Sequence, residues 1–211
     1  MEFAKALETN AHRYGVELNT ETVTRLPEYF KLVQAWNPRL HLVAPCSEEE
    51  FATRHILESL TALQFLKEDS SVVDVGSGAG LPIIPCLIAR PNLKATLIES
   101  SQKKAVFLRE ALRLIENKNA SVLNNRFEKT ETPVANFITC RAIEKFSSVF
   151  KTLIRWSPPN ATLLLFGGND LRTEIEKEGL YFETVQMPDS ERRFLFAILE
   201  CGGLTPLSPL T

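Results

Sequence analysis

The stretch Val72-Val73-Asp74-Val75-Gly76-Ser77-Gly78-Ala79-Gly80-Leu81-Pro82 decides how the rest of the chain is read. β-Branched residues around a single acid read as a buried strand, and the glycines as the loop that ends it. From Leu81 to Ala89 the apolar run, with prolines at 82 and 85, reads as the helix leaving that loop. Both prolines are acceptable only near the helix start, where the first N–H groups lack intrahelical partners anyway. The helix N-terminus then stands over the carboxyl end of the strand, in the crevice where open α/β sheets bind ligands.

The glycine spacing narrows the ligand. Glycines at 76, 78 and 80 give G-x-G-x-G, and Leu81 occupies the place of the third glycine of a dinucleotide fingerprint. Asp74, just before the loop, would repel a pyrophosphate and suits a cationic or amine-bearing ligand. Further on, Lys94-Ala95-Thr96-Leu97-Ile98-Glu99 reads as a second strand ending in a carboxylate, which can accept hydrogen bonds from both hydroxyls of a ribose. Acid, glycine loop and ribose acid together look like the S-adenosylmethionine site of a Rossmann-like methyltransferase. The plainer alternative, glycines that merely allow tight strand–helix packing, leaves Glu99 without a reason.

With 211 residues the chain holds one good domain and an appendage. It is 44% hydrophobic and 24% charged, with no run of eighteen apolar residues, so no membrane span is expected. The start, Met1-Glu2-Phe3-Ala4-Lys5, lacks a basic-then-apolar signal design. Cysteines at 46, 86, 140 and 201 form neither a CxxC pair nor a His–Cys cluster at metal spacing. Reduced thiols, no metal and a cytoplasmic location follow as expectations. The net charge of −2 does not point to nucleic acid, so any RNA contact has to come from a local patch.

Residues 1–67 read as a small N-terminal helical extension and 68–211 as the methyltransferase domain. Phe3, Leu7, Ala11 and Tyr14 form one apolar stripe ended by Gly15; Asn19-Thr20 can cap a second helix carrying Val23, Leu26, Phe30 and Val33, closed by Asn37-Pro38. A third helix opens on the capping box Ser47–Glu50. Beyond Ser71, strands alternate with helices, which predicts a mostly parallel, doubly wound sheet with helices on both faces. The helix from Gln102 to Asn117 turns Val106, Leu108, Ala111, Leu112 and Ile115 inward and Lys103, Lys104, Arg109 and Arg113 outward, either to solvent or to RNA. Further strands follow at Ala120–Asn124, Asn136–Arg141 and Ala161–Phe166. Tyr181–Met187 and Phe194–Glu200 then form an antiparallel hairpin, making seven strands with the last antiparallel. The tail beyond Gly203 is expected to be loosely ordered.

Together these pieces resemble one family, the bacterial 16S rRNA guanine-N7 methyltransferases RsmG, also called glucose-inhibited division protein B. The resemblance runs nearly the full length and rests on Arg54-His55-Ile56-Leu57-Glu58-Ser59-Leu60, the Asp74–Pro82 loop, Arg90-Pro91, Lys103-Lys104, Cys140-Arg141-Ala142 and Glu191-Arg192. It implies a class I methyltransferase fold, S-adenosyl-L-methionine as cofactor and 16S rRNA in the small ribosomal subunit as partner, the chain acting as a monomer. Asp74, Gly76, Gly78 and Leu81 then belong to the glycine-loop side of the cofactor site, and Glu99, Ser100 and Ser101 to the ribose. Phe127 and Glu128 flank the adenine, and Arg141 sits beside the methyl-transfer site, where it borders the cofactor and positions the target base. Arg54, His55, Lys103, Lys104 and Arg192 face RNA; Arg54 could instead pair with Glu50 or Glu58, and His55 could simply pack. The chain departs from the family pattern at His41-Leu42-Val43 (usually Asn-Leu-Thr), at Ile83 (usually glycine) and at Phe166 (usually lysine).

Guanine N7 carries an in-plane lone pair, so a methyltransferase acting on it needs neither nucleophile nor metal, which suits this sequence. A cytosine-C5 enzyme needs a nucleophilic cysteine, but Cys86 and Cys140 read as buried packing. Ser157-Pro158-Pro159-Asn160 lacks the aromatic residue of an adenine-N6 loop and reads as a turn. Two other readings remain open at this point: a small-molecule methyltransferase with a helical lid, and a catalytically idle RNA-binding module.

Overall fold

The computed structural model describes residues 2–131, 134–141 and 146–199, with backbone alone at 146–148. The strand before the glycines is β1 (Ser71–Val75), and it lies inside a seven-stranded sheet of order β3-β2-β1-β4-β5-β7-β6. β1 pairs in parallel with β2 (Lys94–Ile98) and β4 (Phe137–Arg141), β2 with β3 (Ala120–Leu123), and β4 with β5 (Thr162–Gly167). β7 (Phe194–Ile198) runs antiparallel to both β5 and β6 (Phe182–Gln186), as the short connection between 187 and 193 requires. Strand order reverses between β1 and β4, so the crevice at the carboxyl ends of those two strands is the topological switch point.

Alternation along β1 sends Val72 to one face and Val73 and Val75 to the other. The second face carries α7 (Phe146–Trp156) and α8 (Asn169–Lys177) through Phe150, Leu153, Leu171 and Ile175. The first face is covered by α5 (Ile83–Ala89) and α6 (Gln102–Leu114). The N-terminal helices α1 (Glu2–Asn10) and α2 (Thr20–Leu40) add to this same cluster, with Phe3 stacked on Phe30 at 4.6 Å and Phe30 against Phe51 at 4.7 Å. A single apolar core therefore fixes the helical extension to the sheet.

Local signals act as anticipated at several ends. Gly15 takes a left-handed conformation behind Tyr14, the Asn19 side chain caps α2 through the Thr22 N–H, and Ser47 and Glu50 make both bonds of the capping box. Residues 157–160 form a turn, and Cys86 and Cys140 are buried.

Three expectations need correction. Pro38 does not close α2, which runs on to Leu40; one missing donor is tolerated in a last turn, and His41 ends the helix in a left-handed conformation. Val106 is 46% exposed, and Phe107 packs inward in its place, because the inward stripe of α6 runs through 105, 108, 111 and 112 with 107 at its edge. The capping-box helix keeps α geometry only over α3 (Glu48–Glu50) and α4 (Glu58–Leu60), with a π-helical segment (Phe51–Leu57) between them. Residues 142–145 and the tail from 200 onward, where Ala142 and the last cysteine fall, lie outside the described residues.

Candidate active site

The glycine loop hangs from β2 as much as from β1. The Gly76 and Ser77 N–H groups donate to the Ile98 carbonyl at 2.9 and 3.2 Å, and the Gly80 N–H closes a turn on Ser77 at 2.6 Å. Gly80 has φ +82°, and a Cβ there would lie 2.3 Å from Cδ1 of Ile84, so only glycine lets α5 start this close to the loop. From α2, the buried Tyr29 hydroxyl donates to the Ala79 carbonyl at 2.6 Å. Tyr29, which the sequence reading passes over, ties the N-terminal helices to the loop.

Glu99 follows β2, 7% exposed, and accepts from the Gly78 N–H at 2.9 Å and the Ser101 N–H at 2.7 Å. The Asn124 amide donates to the backbone carbonyls of Glu99 and Ser100. Each carboxylate oxygen keeps a second lone pair, so the group can still receive two hydroxyl donors. Beside it lies a cavity of about 440 Å³ walled by Val75, Gly76, Ile98, Ser100, Asn125–Glu128 and Val149. Phe127 is one wall, held edge-on against Trp156 at 5.4 Å, and Glu128 is exposed at the rim. Gly76, Ser100, Phe127 and Glu128 are thus brought together, with Gly78 and Ser101 joined to them through Glu99. A larger open cleft of about 770 Å³, beside β3 and the end of α6, is lined by Arg109, Arg113 and Lys118 and contains none of the site residues read from the sequence.

Asp74 and Leu81 are buried behind the loop. Asp74 Oδ1 accepts from the Thr139 hydroxyl at 2.7 Å, while Oδ2 has no partner among the described residues. Burial pushes the Asp74 carboxyl up to about 7, against the hydrogen bond from Thr139, while the Ser77 hydroxyl donates to the Asp74 backbone carbonyl at 3.0 Å. An orphaned acceptor at the foot of the loop, a ribose-competent carboxylate and a half-apolar cavity fit a ligand with an amine, a ribose and a flat base.

At the end of β4, Arg141 points toward the N-terminal helices. It pairs with Glu58 at 3.0 Å and donates to Ser59 Oγ at 3.2 Å and to the Arg54 carbonyl at 2.6 Å. Its guanidinium lies 5.5 Å from the ring centre of Phe166, so the phenyl ring at this family-lysine position supplies a face for the cation where an ammonium would repel it. Arg141 is not part of the cavity wall. Glu58 is 3% exposed and also meets Arg193 Nε, 3.0 Å from its second oxygen. Sequence reading missed this role for Glu58 and missed Arg193 altogether; the Arg192-Arg193 pair before β7 was the available signal.

Of the residues expected to face RNA, Arg54 is half exposed and pairs with Glu50 at 3.4 Å, not with Glu58. His55 packs on Phe51, and burial together with the charge of Arg141 holds its imidazole down to about 3, so it is neutral near pH 7. Lys103 and Lys104 stand in the first turn of α6, and Arg192 is exposed in the β6–β7 loop. His41 adopts φ +48° at the C-cap of α2, where the family's usual asparagine is favoured, and Asn37 bonds Val43 through both amide groups. That departure sits in a helix cap.

Comparison with known proteins bears on the fold and the family. Among solved structures, a SAM-dependent methyltransferase from Aquifex aeolicus superposes with a TM-score of 0.56 at 18% identity, over 81% of this chain and 98% of that one. TYW2 of M. jannaschii in complex with AdoMet gives a TM-score of 0.56 at 16% identity, over 69% and 75%. At these identities the likeness shows the fold alone, a Rossmann-like methyltransferase. Ribosomal RNA small subunit methyltransferase G of Rickettsia felis is 34% identical, over 91% of this chain and 99% of that protein. The protein of the same name from Roseiflexus is 31% identical over 89% and 87%, and that of Xanthomonas oryzae 38% over 72% and 71%. The family model described as rRNA small subunit methyltransferase G matches residues 22–194, and with these relatives it shows that the chain belongs to the rRNA small subunit methyltransferase G (GidB) family.

Proposed function

We propose that this chain transfers a methyl group from S-adenosyl-L-methionine to N7 of a guanine in 16S rRNA of the small ribosomal subunit. The observation that carries it is the Glu99 carboxylate, pinned by the Gly78 and Ser101 N–H groups, with its chain neighbours Ile98 and Ser100 in the wall of the cavity that Phe127 and Glu128 also line. Glu99 would hold the ribose, with Ser100 and Ser101 beside it, and Phe127 and Glu128 the adenine. Asp74, buried behind Gly76, Gly78 and Leu81 with one carboxylate oxygen unpartnered among the described residues, is assigned to the amine end of such a ligand. When bound, the cofactor supplies an electrophilic methyl group on a sulfonium.

The remaining work falls to the chain. N7 attacks with a lone pair and has no proton to lose, so the protein must position the base in line and shelter it from water. Arg141 is assigned to that positioning: it ends β4 at the switch point, and Glu58, Ser59 and the Arg54 carbonyl hold it on three sides. Among the described residues no group of His, Cys, Asp or Glu could hold a metal ion, and no helix is long and apolar enough to cross a membrane.

Residues 1–67 serve as the RNA-side cap of the 68–211 methyltransferase unit. Arg54, Lys103, Lys104 and Arg192 reach RNA phosphates, and the neutral His55 offers hydrogen bonding only. Lys103 and Lys104 disfavour the N-terminal end of the helix dipole, so helix stability gives no reason for them. The chain acts as a cytoplasmic monomer in this reading.

The test is methyl transfer from labelled S-adenosylmethionine to small subunits isolated from cells lacking the modification, in single turnover at saturating cofactor. The rate should be flat between roughly pH 6.5 and 8.5, since no base has to ionise. A rate that climbs tenfold per pH unit in that window contradicts N7 as the acceptor. Transfer to a small molecule and none to the subunit contradicts the substrate.

A further inference from the structure

Glu58 serves two arginines at once. Its Oε2 meets Arg141 at 3.0 Å and its Oε1 meets Arg193 at 3.0 Å, from strands that start and end on opposite sides of β5. The carboxylate side chain is 4% exposed, Arg141 16% and Arg193 32%. One buried negative charge therefore faces two guanidiniums, and a unit of positive charge is left over at the half-open end of the pair. Arg193 Nε lacks hydrogen-bond geometry to any partner among the described residues, and its terminal nitrogens carry no hydrogen bond there either. His55, neutral as described above, adds no charge to the excess, and its buried Nδ1 is also unsatisfied. The loop that delivers Arg193 packs tightly: a Cβ on Gly168 would stand 3.0 Å from the Arg192 carbonyl, and the Arg193 carbonyl accepts from the Met187 N–H at 2.9 Å. The backbone thus fixes Arg193 while its guanidinium is left half-satisfied.

The geometry points to Arg193 as a phosphate-binding residue of the acceptor site, gripping one phosphodiester of the RNA strand beside the target base, with Glu58 as the positioning residue that sets the spread between Arg193 and Arg141. This rests on the reading of Arg141 given above. A phosphodiester carries the single negative charge that the Arg141–Glu58–Arg193 group lacks, and the guanidinium fork matches two of its oxygens. Because both arginines lean on one carboxylate, strand grip and base position are mechanically linked.

The experiment measures binding to unmodified small ribosomal subunits as a function of salt, with thermal unfolding as the check on folding. For Arg193→Ala the slope of log affinity against log salt should shrink by about one. If that variant does not fold, Arg193→Lys is read instead; it should keep the slope and lose about fivefold in affinity, because the charge stays and the fork is gone. Glu58→Gln should leave the salt slope unchanged and lower the single-turnover rate at saturating subunits about tenfold or more. A folded Arg193 variant with wild-type slope and affinity overturns the assignment and leaves Arg193 as a counter-ion of Glu58 only. A normal Glu58→Gln rate overturns the positioning role. The binding measurement stands apart from the reaction: an effect of the Arg193 substitution on subunit binding, together with no methyl transfer by the wild-type chain, contradicts the proposed function and not the phosphate contact.

Discussion

Glu99→Gln separates a ribose ligand from a loop brace, and its effect can be worked from the structure. Each Glu99 oxygen accepts one backbone donor, Gly78 N–H at 2.9 Å and Ser101 N–H at 2.7 Å. Glutamine offers one oxygen and one NH₂ group, so one of those donors must face another donor. Glu99 is 7% exposed, and water can do little to repair the loss. Losing one charge-assisted bond costs about 1.5–3 kcal/mol. For a chain of this size that corresponds to a fall of roughly 3–12 °C in the unfolding midpoint without cofactor. If two ribose hydroxyls also rely on the carboxylate, one of them loses its acceptor, and the Kd for S-adenosylmethionine rises by roughly ten- to a hundredfold. Thermal unfolding gives the first quantity and titration calorimetry the second. A folded variant that melts early yet binds the cofactor within twofold of wild type would refute the ribose assignment and leave Glu99 as a brace.

The remaining expectations concern the loop and its surroundings. Gly80→Ala places a methyl group 2.3 Å from Ile84 Cδ1 at φ +82°, and should destabilise the chain by about 2–5 kcal/mol, from a left-handed backbone and overpacking together; a midpoint within 2 °C of wild type would show that α5 can retreat. Asp74 has a folded value of about 7 above its ordinary 3.8, so the folded chain holds this proton more tightly than the unfolded one. Its contribution to stability is present below pH ~4 and lost as pH rises through 7, up to about 4 kcal/mol. Asp74→Asn should remove that decline, and parallel melting curves from pH 4.5 to 8 for the two proteins would contradict it. Arg141→Lys keeps a charge for Glu58 but loses the fork, so single-turnover transfer should slow while calorimetric affinity for S-adenosylmethionine stays the same; loss of cofactor affinity instead would move Arg141 into the cofactor site.

The parts of the fold legible in the sequence are those set by short-range rules. Alternation in β1, the glycine spacing, the Ser47–Glu50 box and the short β6–β7 connection each carry their own physical cause, and each appears where expected. The inward face of α6 differs from the sequence pattern at Val106, because a stripe wide enough to cover a sheet admits either neighbour at its edge and the large Phe107 takes the place. The π-helical segment at Phe51–Leu57 was not legible, since no residue type marks a wider backbone turn. Glu99 could be read because its strand and the loop are local to each other. Tyr29, Glu58 and Arg193 could not. Tyr29 meets Ala79 across 50 residues and Glu58 meets Arg141 across 83, and only the closed sheet brings them together.

Mapping the methylated position on 16S rRNA identifies the acceptor atom. Small subunits lacking the modification are incubated with the chain and S-adenosylmethionine, and the rRNA is then reduced with borohydride and cleaved with aniline, which breaks the strand where a guanine carries a positive N7. Guanine-N7 transfer gives one new, cofactor-dependent cleavage at a single guanine, with label incorporated in equal amount. Incorporated label without that cleavage, or cleavage spread over many guanines, would contradict it.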